Sequence, residues 1–414
     1  MGRGPRAGRF VNYLVACRKS TKGHLMRVLI SALVLGLSMT TAHANCGGNF
    51  NTFVKGLKSE AAQRGHSTKS ANAFFANVRQ DPKVIKADRS QGAFQKNFID
   101  FSRNLISQGR INKGRQMAGK YKSVFSRAQQ QYGVPPGVLL AFWAFETDYG
   151  SFQGNFNTLN ALVTLAHDCR RPQLFRPQIF SALTLYERGN FSPTKTTGAW
   201  AGEIGMVQML PADIIQNGVD GDGDGRVSLK TSPADALLSG AKMLQHLGWR
   251  ANEPWLQEIA VPSNLDWSKT GVDKTLTVEQ WAKLGVKPRS GSLGNLKLPA
   301  SVILPMGRNG PAFLAYPNFR VYFEWNQSYT YVTTAAYFGT RLMGAPVYTA
   351  GNPDKGLSGN QMKQLQQKLA KRGYNVGKID GILGAGTRAA VQAEQTRLGL
   401  PADAWPTAQL LGKL

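Results

Sequence analysis

The stretch Val134-Pro135-Pro136-Gly137-Val138-Leu139-Leu140-Ala141-Phe142-Trp143-Ala144-Phe145-Glu146-Thr147-Asp148-Tyr149-Gly150 constrains this chain more than any other. Prolines suit the first turn of a helix, where a missing N–H costs nothing, and glycine suits its end, so the spacing predicts a helix from Gly137 to about Tyr149. Val138 through Phe145 are apolar on every face, and such a helix is stable only inside a core, with the other elements built around it. It carries one carboxylate, Glu146, in its last turn. Burial disfavours the charged form of a carboxyl and raises its pKa, which turns a glutamic acid into a proton donor near neutral pH. This helix alone leaves two readings open: a proton donor, or a structural glutamate paired with an arginine or capping another segment.

A chain of 414 residues, 42% of them hydrophobic, has apolar side chain enough for a folded core and length enough for two or three domains. The formal charge of +26 points to a polyanionic partner: nucleic acid, an anionic membrane face or an acidic wall polymer. Residues 26–44 narrow the choice. Met26-Arg27 precedes the apolar run Val28 to Met39, and Ala42-His43-Ala44 follows as a small-x-small cleavage site, the pattern of a secretory signal peptide. The expected mature chain starts near Asn45, and export argues against nucleic acid. Residues 1–25 add a basic extension that a signal peptide does not need, so Met1 and Met26 are alternative starts. Ala44-Asn45 is a poor match to a lipoprotein site, so Cys46 is expected to carry no lipid. Export removes Cys17, and in an oxidising compartment Cys46 and Cys169 are expected to form a disulfide.

From Cys46 to about Ala128 apolar residues recur at helical spacing (Phe53, Val54, Leu57, Ala61; Tyr121, Val124, Phe125, Ala128), as core-facing stripes do. Arg170 and Arg171 follow an apolar segment and could bind a substrate carboxylate, pair with Glu146 or lie on the surface. Gly198, Gly202 and Gly205, close before Gln208, describe a backbone that passes near a ligand or another helix. Asp220-Gly221-Asp222-Gly223-Asp224-Gly225-Arg226 has acids at positions 1, 3 and 5 and Gly at 6, the spacing that wraps carboxylates round a hard cation, with Arg226 at the position that offers its carbonyl. The position for a closing glutamate holds Thr231, so a lengthened loop closed by Asp235 is expected, holding a structural calcium. Tyr316 to Tyr331 gathers aromatic and amide groups, of use for stacking on sugar rings and reading their substituents, or equally a core strand feeding a helix. Gly, Pro, Asn and Ser cluster from Gly344 to Gly359, and the remainder reads as a small helical bundle without a catalytic set.

Taken in order, these segments resemble a lytic murein transglycosylase of the B type, followed by a module similar to the peptidoglycan-binding domain type 1. The resemblance rests on Glu146-Thr147-x-Tyr149-Gly150, Cys169-Arg170-Arg171-Pro172, Gly202-x-x-Gly205-x-x-Gln208, the calcium-like loop, Asn318-Phe319…Trp325-Asn326…Tyr331, and then Asp380-Gly381, Gly384, Thr387 and Ala390-Val391. It implies a mainly α chain: an α+β, lysozyme-like catalytic domain with a small β element and an EF-hand-like loop over 45–346, a linker over 347–358, and a three-helix peptidoglycan-binding bundle over 359–414. It gives Glu146 the acid/base role and places Arg170, Arg171, Gln208, Asn326 and Tyr331 along the glycan cleft. It also implies action in the periplasm on peptidoglycan glycan strands, as a monomer, with cell-wall synthesis or remodelling proteins as candidate partners. The chain departs from the family pattern at Ala199, Glu203 and Lys242-Met243.

A glycosidase ordinarily needs two carboxyls. Asp148 lies nearly on the opposite helix face from Glu146, and Asp168, Glu203 and Glu324 have no evident partnership with it. A lytic transglycosylase escapes the requirement because the muramic acid's own 6-hydroxyl attacks, and it needs no cofactor for the chemistry. Two alternatives stay open: a hydrolytic muramidase like goose-type lysozyme, distinguished by products one water heavier, and a non-catalytic wall-binding protein. A zinc amidase is excluded, since His66, His167 and His246 have no metalloprotease spacing.

Overall fold

The computed structural model describes residues 46–90 and 96–414, so the signal-peptide reading of residues 1–44 lies outside the described residues. The chain is mostly helical, with a small sheet and a C-terminal helical domain. The expected central helix runs from Pro136 to Thr147, with Pro135 as its N-cap and Pro136 in its first turn. It stops before Tyr149 because Asp148, Tyr149 and Gly150 take left-handed φ values of 50°, 59° and 85°. The Asp148 and Tyr149 amides turn back to the carbonyls of Ala144 (2.9 Å) and Trp143 (3.1 Å), closing the last turn. Every residue from Gly137 to Thr147 is buried.

Three packings hold this helix. The helix Tyr329–Leu342 crosses it where both helices carry glycine, since a Cβ on Gly137 would stand 2.5 Å from the Gly339 carbonyl oxygen. Phe145 stacks on Phe338 beside that crossing, with ring centroids 5.1 Å apart. From the helix Pro317–Trp325, Trp325 and Tyr322 stack on Phe142 at 4.3 Å and 4.9 Å. Burying an aromatic ring of this size contributes about 2–3 kcal/mol, and offset stacking adds about 0.5–1.5 kcal/mol.

The N-terminal helix Phe50–Gln63 buries Phe53, Val54, Leu57 and Ala61, and Lys122–Tyr132 buries Val124, Phe125 and Ala128. Cys46 and Cys169 are joined by a disulfide, with Cα atoms 5.0 Å apart. The tryptophan-punctuated region between residues 250 and 316 supplies a five-stranded antiparallel sheet, ordered Leu276–Thr277, Pro299–Ile303, Phe313–Ala315, Leu256–Ala260, Lys287–Pro288. It has its own core, in which Trp281, Val302 and Leu314 are fully enclosed. Among the described residues no helix is long and apolar enough to cross a membrane.

The segment expected as a linker is laid against the first domain. Tyr348 is buried, its hydroxyl 2.8 Å from that of Ser102, and the Asn352 amide donates to the Asn309 carbonyl. Beyond it the helices Gly359–Lys371, Ala385–Arg397 and Ala408–Lys413 enclose Leu365, Leu369, Val391 and Leu410.

Candidate active site

The Glu146 side chain is 7% exposed. Its Oε1 accepts two hydrogen bonds, from the Tyr331 hydroxyl at 2.6 Å and from Trp325 Nε1 at 3.0 Å. Both donors are delivered by the pair of helices that packs on the central one: Trp325 ends the first and Tyr331 sits in the opening turn of the second. Asn326 joins them. It caps the first helix, and its Oδ1 accepts from the Ser328 amide at 2.9 Å, while the Ser328 hydroxyl accepts from the Tyr331 amide. Both donors converge on Oε1, which fixes the orientation of the carboxyl. Neutral donors at that distance orient the group without neutralising its charge.

Two of the acids named from the sequence, Asp148 and Asp168, are engaged elsewhere. Asp148 lies 3.3 Å from Arg110 and 3.6 Å from Lys113, Asp168 pairs with Arg89 at 2.8 Å, and Glu324 is exposed. Thr147 ties the end of the central helix to the glycine-rich loop: its hydroxyl donates to the Met206 carbonyl at 2.7 Å and accepts from the Gly150 amide at 2.9 Å. In that loop Gln208 has a left-handed φ of 52°, is 3% exposed, and donates to the carbonyls of Gly205 at 2.8 Å and Gln153 at 3.3 Å. What the glycines approach is the protein itself. A Cβ on Gly202 would meet Leu162 at 2.3 Å, and one on Gly205 would meet Leu229 at 2.4 Å.

Tyr331 and Asn326 therefore come together with Glu146, and Gln208 stands on the loop bonded to the same helix end. Arg170 and Arg171 have a different partner from those the sequence suggested: both guanidinium groups pair with Asp88, which is 1% exposed, Arg170 through Nε at 3.1 Å and Arg171 through Nη2. Trp325 was missed as a site residue. Its indole N–H is what reaches the carboxylate, and a tryptophan at a helix end within an aromatic run reads as core from sequence.

Of the predicted metal ligands, Asp220, Asp222 and Asp235 bring carboxylate oxygens within 4.8 Å of one another. Asp235 is fully buried and closes the loop: its Oδ1 accepts from the Gly221 amide at 2.8 Å and its Oδ2 from the Ser228 amide at 2.6 Å. Asp220 accepts from the amides of Gly223, Asp224 and Gly225. Asp224 lies outside the trio and accepts from the Arg226 amide at 2.9 Å, and Arg226 itself is exposed. Among the described residues none of these four acids forms an ion pair with a lysine or arginine, so the donor set is of hard oxygens suited to a divalent cation.

A transglycosylase SLT domain profile matches residues 49–340 and a putative peptidoglycan-binding domain profile matches 358–414. Membrane-bound lytic murein transglycosylase B of Escherichia coli (strain K12) is 26% identical over 253 residues, 60% of this chain and 68% of that protein. The crystal structure of SltB3 from Pseudomonas aeruginosa in complex with NAG-anhNAM-pentapeptide superposes with a TM-score of 0.81 at 33% identity, covering 89% of this chain and 99% of that one. The fold is shared as well by the Escherichia coli lytic transglycosylase Slt35 in complex with calcium, at a TM-score of 0.61 and 23% identity over 72% of this chain and 96% of that one. With a buried glutamate at the end of its central helix and a peptidoglycan-binding domain behind it, this chain belongs to the lytic murein transglycosylases of the SLT family, enzymes that act on peptidoglycan.

Proposed function

We propose that this enzyme cleaves the β-1,4 bond between MurNAc and GlcNAc and leaves a 1,6-anhydromuramoyl end, with Glu146 as its single acid and base. The observation that carries this reading is the placing of Glu146: a buried carboxyl whose Oε1 is held by Tyr331 and Trp325, while Asp148 and Asp168 are taken up in ion pairs of their own. In the first step the proton of the Glu146 carboxyl passes to the glycosidic oxygen as the C1–O bond breaks, and GlcNAc leaves with a free 4-hydroxyl. In the second the muramoyl O6 attacks C1 and its proton returns to the Glu146 carboxylate. No water is consumed and the acid is regenerated. The Tyr331 and Trp325 donors favour the carboxylate formed between the two steps, where negative charge faces the positive sugar. A complex of the relative SltB3 contains an anhydro-muramoyl ligand, which accords with this product.

Arg170, Arg171, Gln208, Asn326 and Tyr331 are assigned to the glycan cleft, the two arginines while paired with Asp88. A structural calcium held by Asp220, Asp222 and Asp235 fastens the loop and takes no part in the chemistry. Action in the periplasm follows from the exported-protein pattern of residues 26–44 together with a wall substrate. Digestion of purified peptidoglycan by wild type and Glu146→Gln, with product masses recorded, tests the reading. Anhydro ends from wild type and none from the variant are expected. Reducing ends one water heavier would make the enzyme a hydrolase, and retained turnover in the variant would remove Glu146 from its role.

A further inference from the structure

Among the contacts between the C-terminal domain and the catalytic domain, one arginine touches the helix that carries Tyr331. Arg388, on the helix Ala385–Arg397, lays its guanidinium over the ring of Tyr329, 4.3 Å from the centroid, and 5.9 Å from that of Trp405. The same group donates through Nη2 to the Pro305 carbonyl at 2.7 Å. Tyr329 is 7% exposed and opens the helix whose first turn also holds Tyr331. Two residues apart on a helix, these side chains point to nearly opposite faces. Tyr331 faces inward and holds Glu146; Tyr329 faces outward and is held by Arg388.

We infer that Arg388 is a positioning residue for the transglycosylase reaction: by clamping Tyr329 it fixes the helix turn that aims the Tyr331 hydroxyl at Glu146, so the wall-binding domain is a structural part of the active site as well as an anchor. The inference rests on the role proposed for Glu146. The rest of the contact is of another kind. Gln392 donates to the carbonyls of Trp267 at 3.1 Å and Thr270 at 2.8 Å, and Arg308 pairs with Asp403 at 3.1 Å. These hold the two domains together through groups other than Tyr329.

The test uses the full chain and purified uncrosslinked glycan strands, with kcat and KM measured separately for Arg388→Ala, Arg388→Lys and Gln392→Ala. A displaced donor costs about 10- to 100-fold in rate. Arg388→Ala is expected to lose that much in kcat with KM changed less than threefold and helical content retained. Arg388→Lys keeps the charge but not the flat stacking group and is expected to recover only part of it. Gln392→Ala is expected to keep kcat within about twofold. A kcat in Arg388→Ala equal to wild type overturns the inference, as does an effect confined to KM, or an equal loss in Gln392→Ala, which would make domain docking in general the cause. Glu146→Gln run alongside separates the two levels: if it is active the proposed mechanism falls, whereas an inactive Glu146→Gln beside a fully active Arg388→Ala removes only the role of Arg388.

Discussion

The Tyr331 hydroxyl lies 2.6 Å from Oε1 of Glu146, although 185 residues separate the two along the chain. The contact exists because the helices Pro136–Thr147 and Tyr329–Leu342 cross at Gly137 and Gly339, close enough for a phenol to span the gap. Tyr331→Phe keeps the ring and removes the donor. A hydrogen bond to a charged group is worth about 1.5–3 kcal/mol, so kcat should fall about 10- to 100-fold with the thermal midpoint little changed. Release of soluble muropeptides from peptidoglycan measures it.

Gly137→Ala should distort the site without removing any side-chain polar group. Its Cβ would stand 2.5 Å from the Gly339 carbonyl oxygen and 2.6 Å from Met343 Cγ. The helices must move apart, at a cost of about 1–3 kcal/mol in stability. Loss of activity should exceed what the fall in the urea midpoint explains, since Tyr331 moves with its helix.

Calcium should raise the thermal midpoint of the wild type by about 3–6 °C at a concentration a hundredfold above its Kd. The increment should vanish in Asp222→Ala, whose carboxylate is exposed, belongs to the oxygen trio and makes little else of the fold. Asp235→Ala should cost stability even in chelator, because its carboxylate also gathers the Gly221 and Ser228 amides. Differential scanning calorimetry with and without chelator separates the two.

Replacing both Cys46 and Cys169 by Ser should destabilise the chain by about 4–5 kcal/mol on chain-entropy grounds, since the bond closes a loop of 123 residues. Urea unfolding followed by tryptophan fluorescence reports the loss. Glu146 chemistry should survive below the new midpoint.

In the C-terminal domain, hydrogen bonds from the Arg397 guanidinium at 2.9 and 2.7 Å hold the Glu394 carboxyl below its ordinary value of 4.5. A carboxyl depressed on folding stabilises the fold above its unfolded pKa, and the contribution disappears as pH falls through the folded value. At pH 7, Glu394→Gln should speed amide exchange in the helix Ala385–Arg397 about tenfold, equivalent to about 1.4 kcal/mol. The two proteins should converge well below pH 4.5, and an unchanged ratio across that range would contradict the assignment.

The buried helix and its lone carboxylate were legible in the residues alone, because an apolar run bounded by prolines and glycine has one stable environment and a glutamate at its end has few roles there. So was the acidic loop, whose spacing of aspartates and glycines is a local property. Tertiary structure decided the rest. It set the end of the helix at Thr147, since left-handed Asp148 and Tyr149 are fixed by hydrogen bonds that close only in the folded turn. It gave Arg170 and Arg171 to Asp88, some 80 residues earlier, a pairing that no local pattern encodes. Tertiary packing also brought Trp325 to the carboxylate and Arg388 to Tyr329. Side-chain chemistry along a segment is written in its own residues, whereas which donor reaches which acceptor depends on helix crossings that distant glycines and aromatic rings set together.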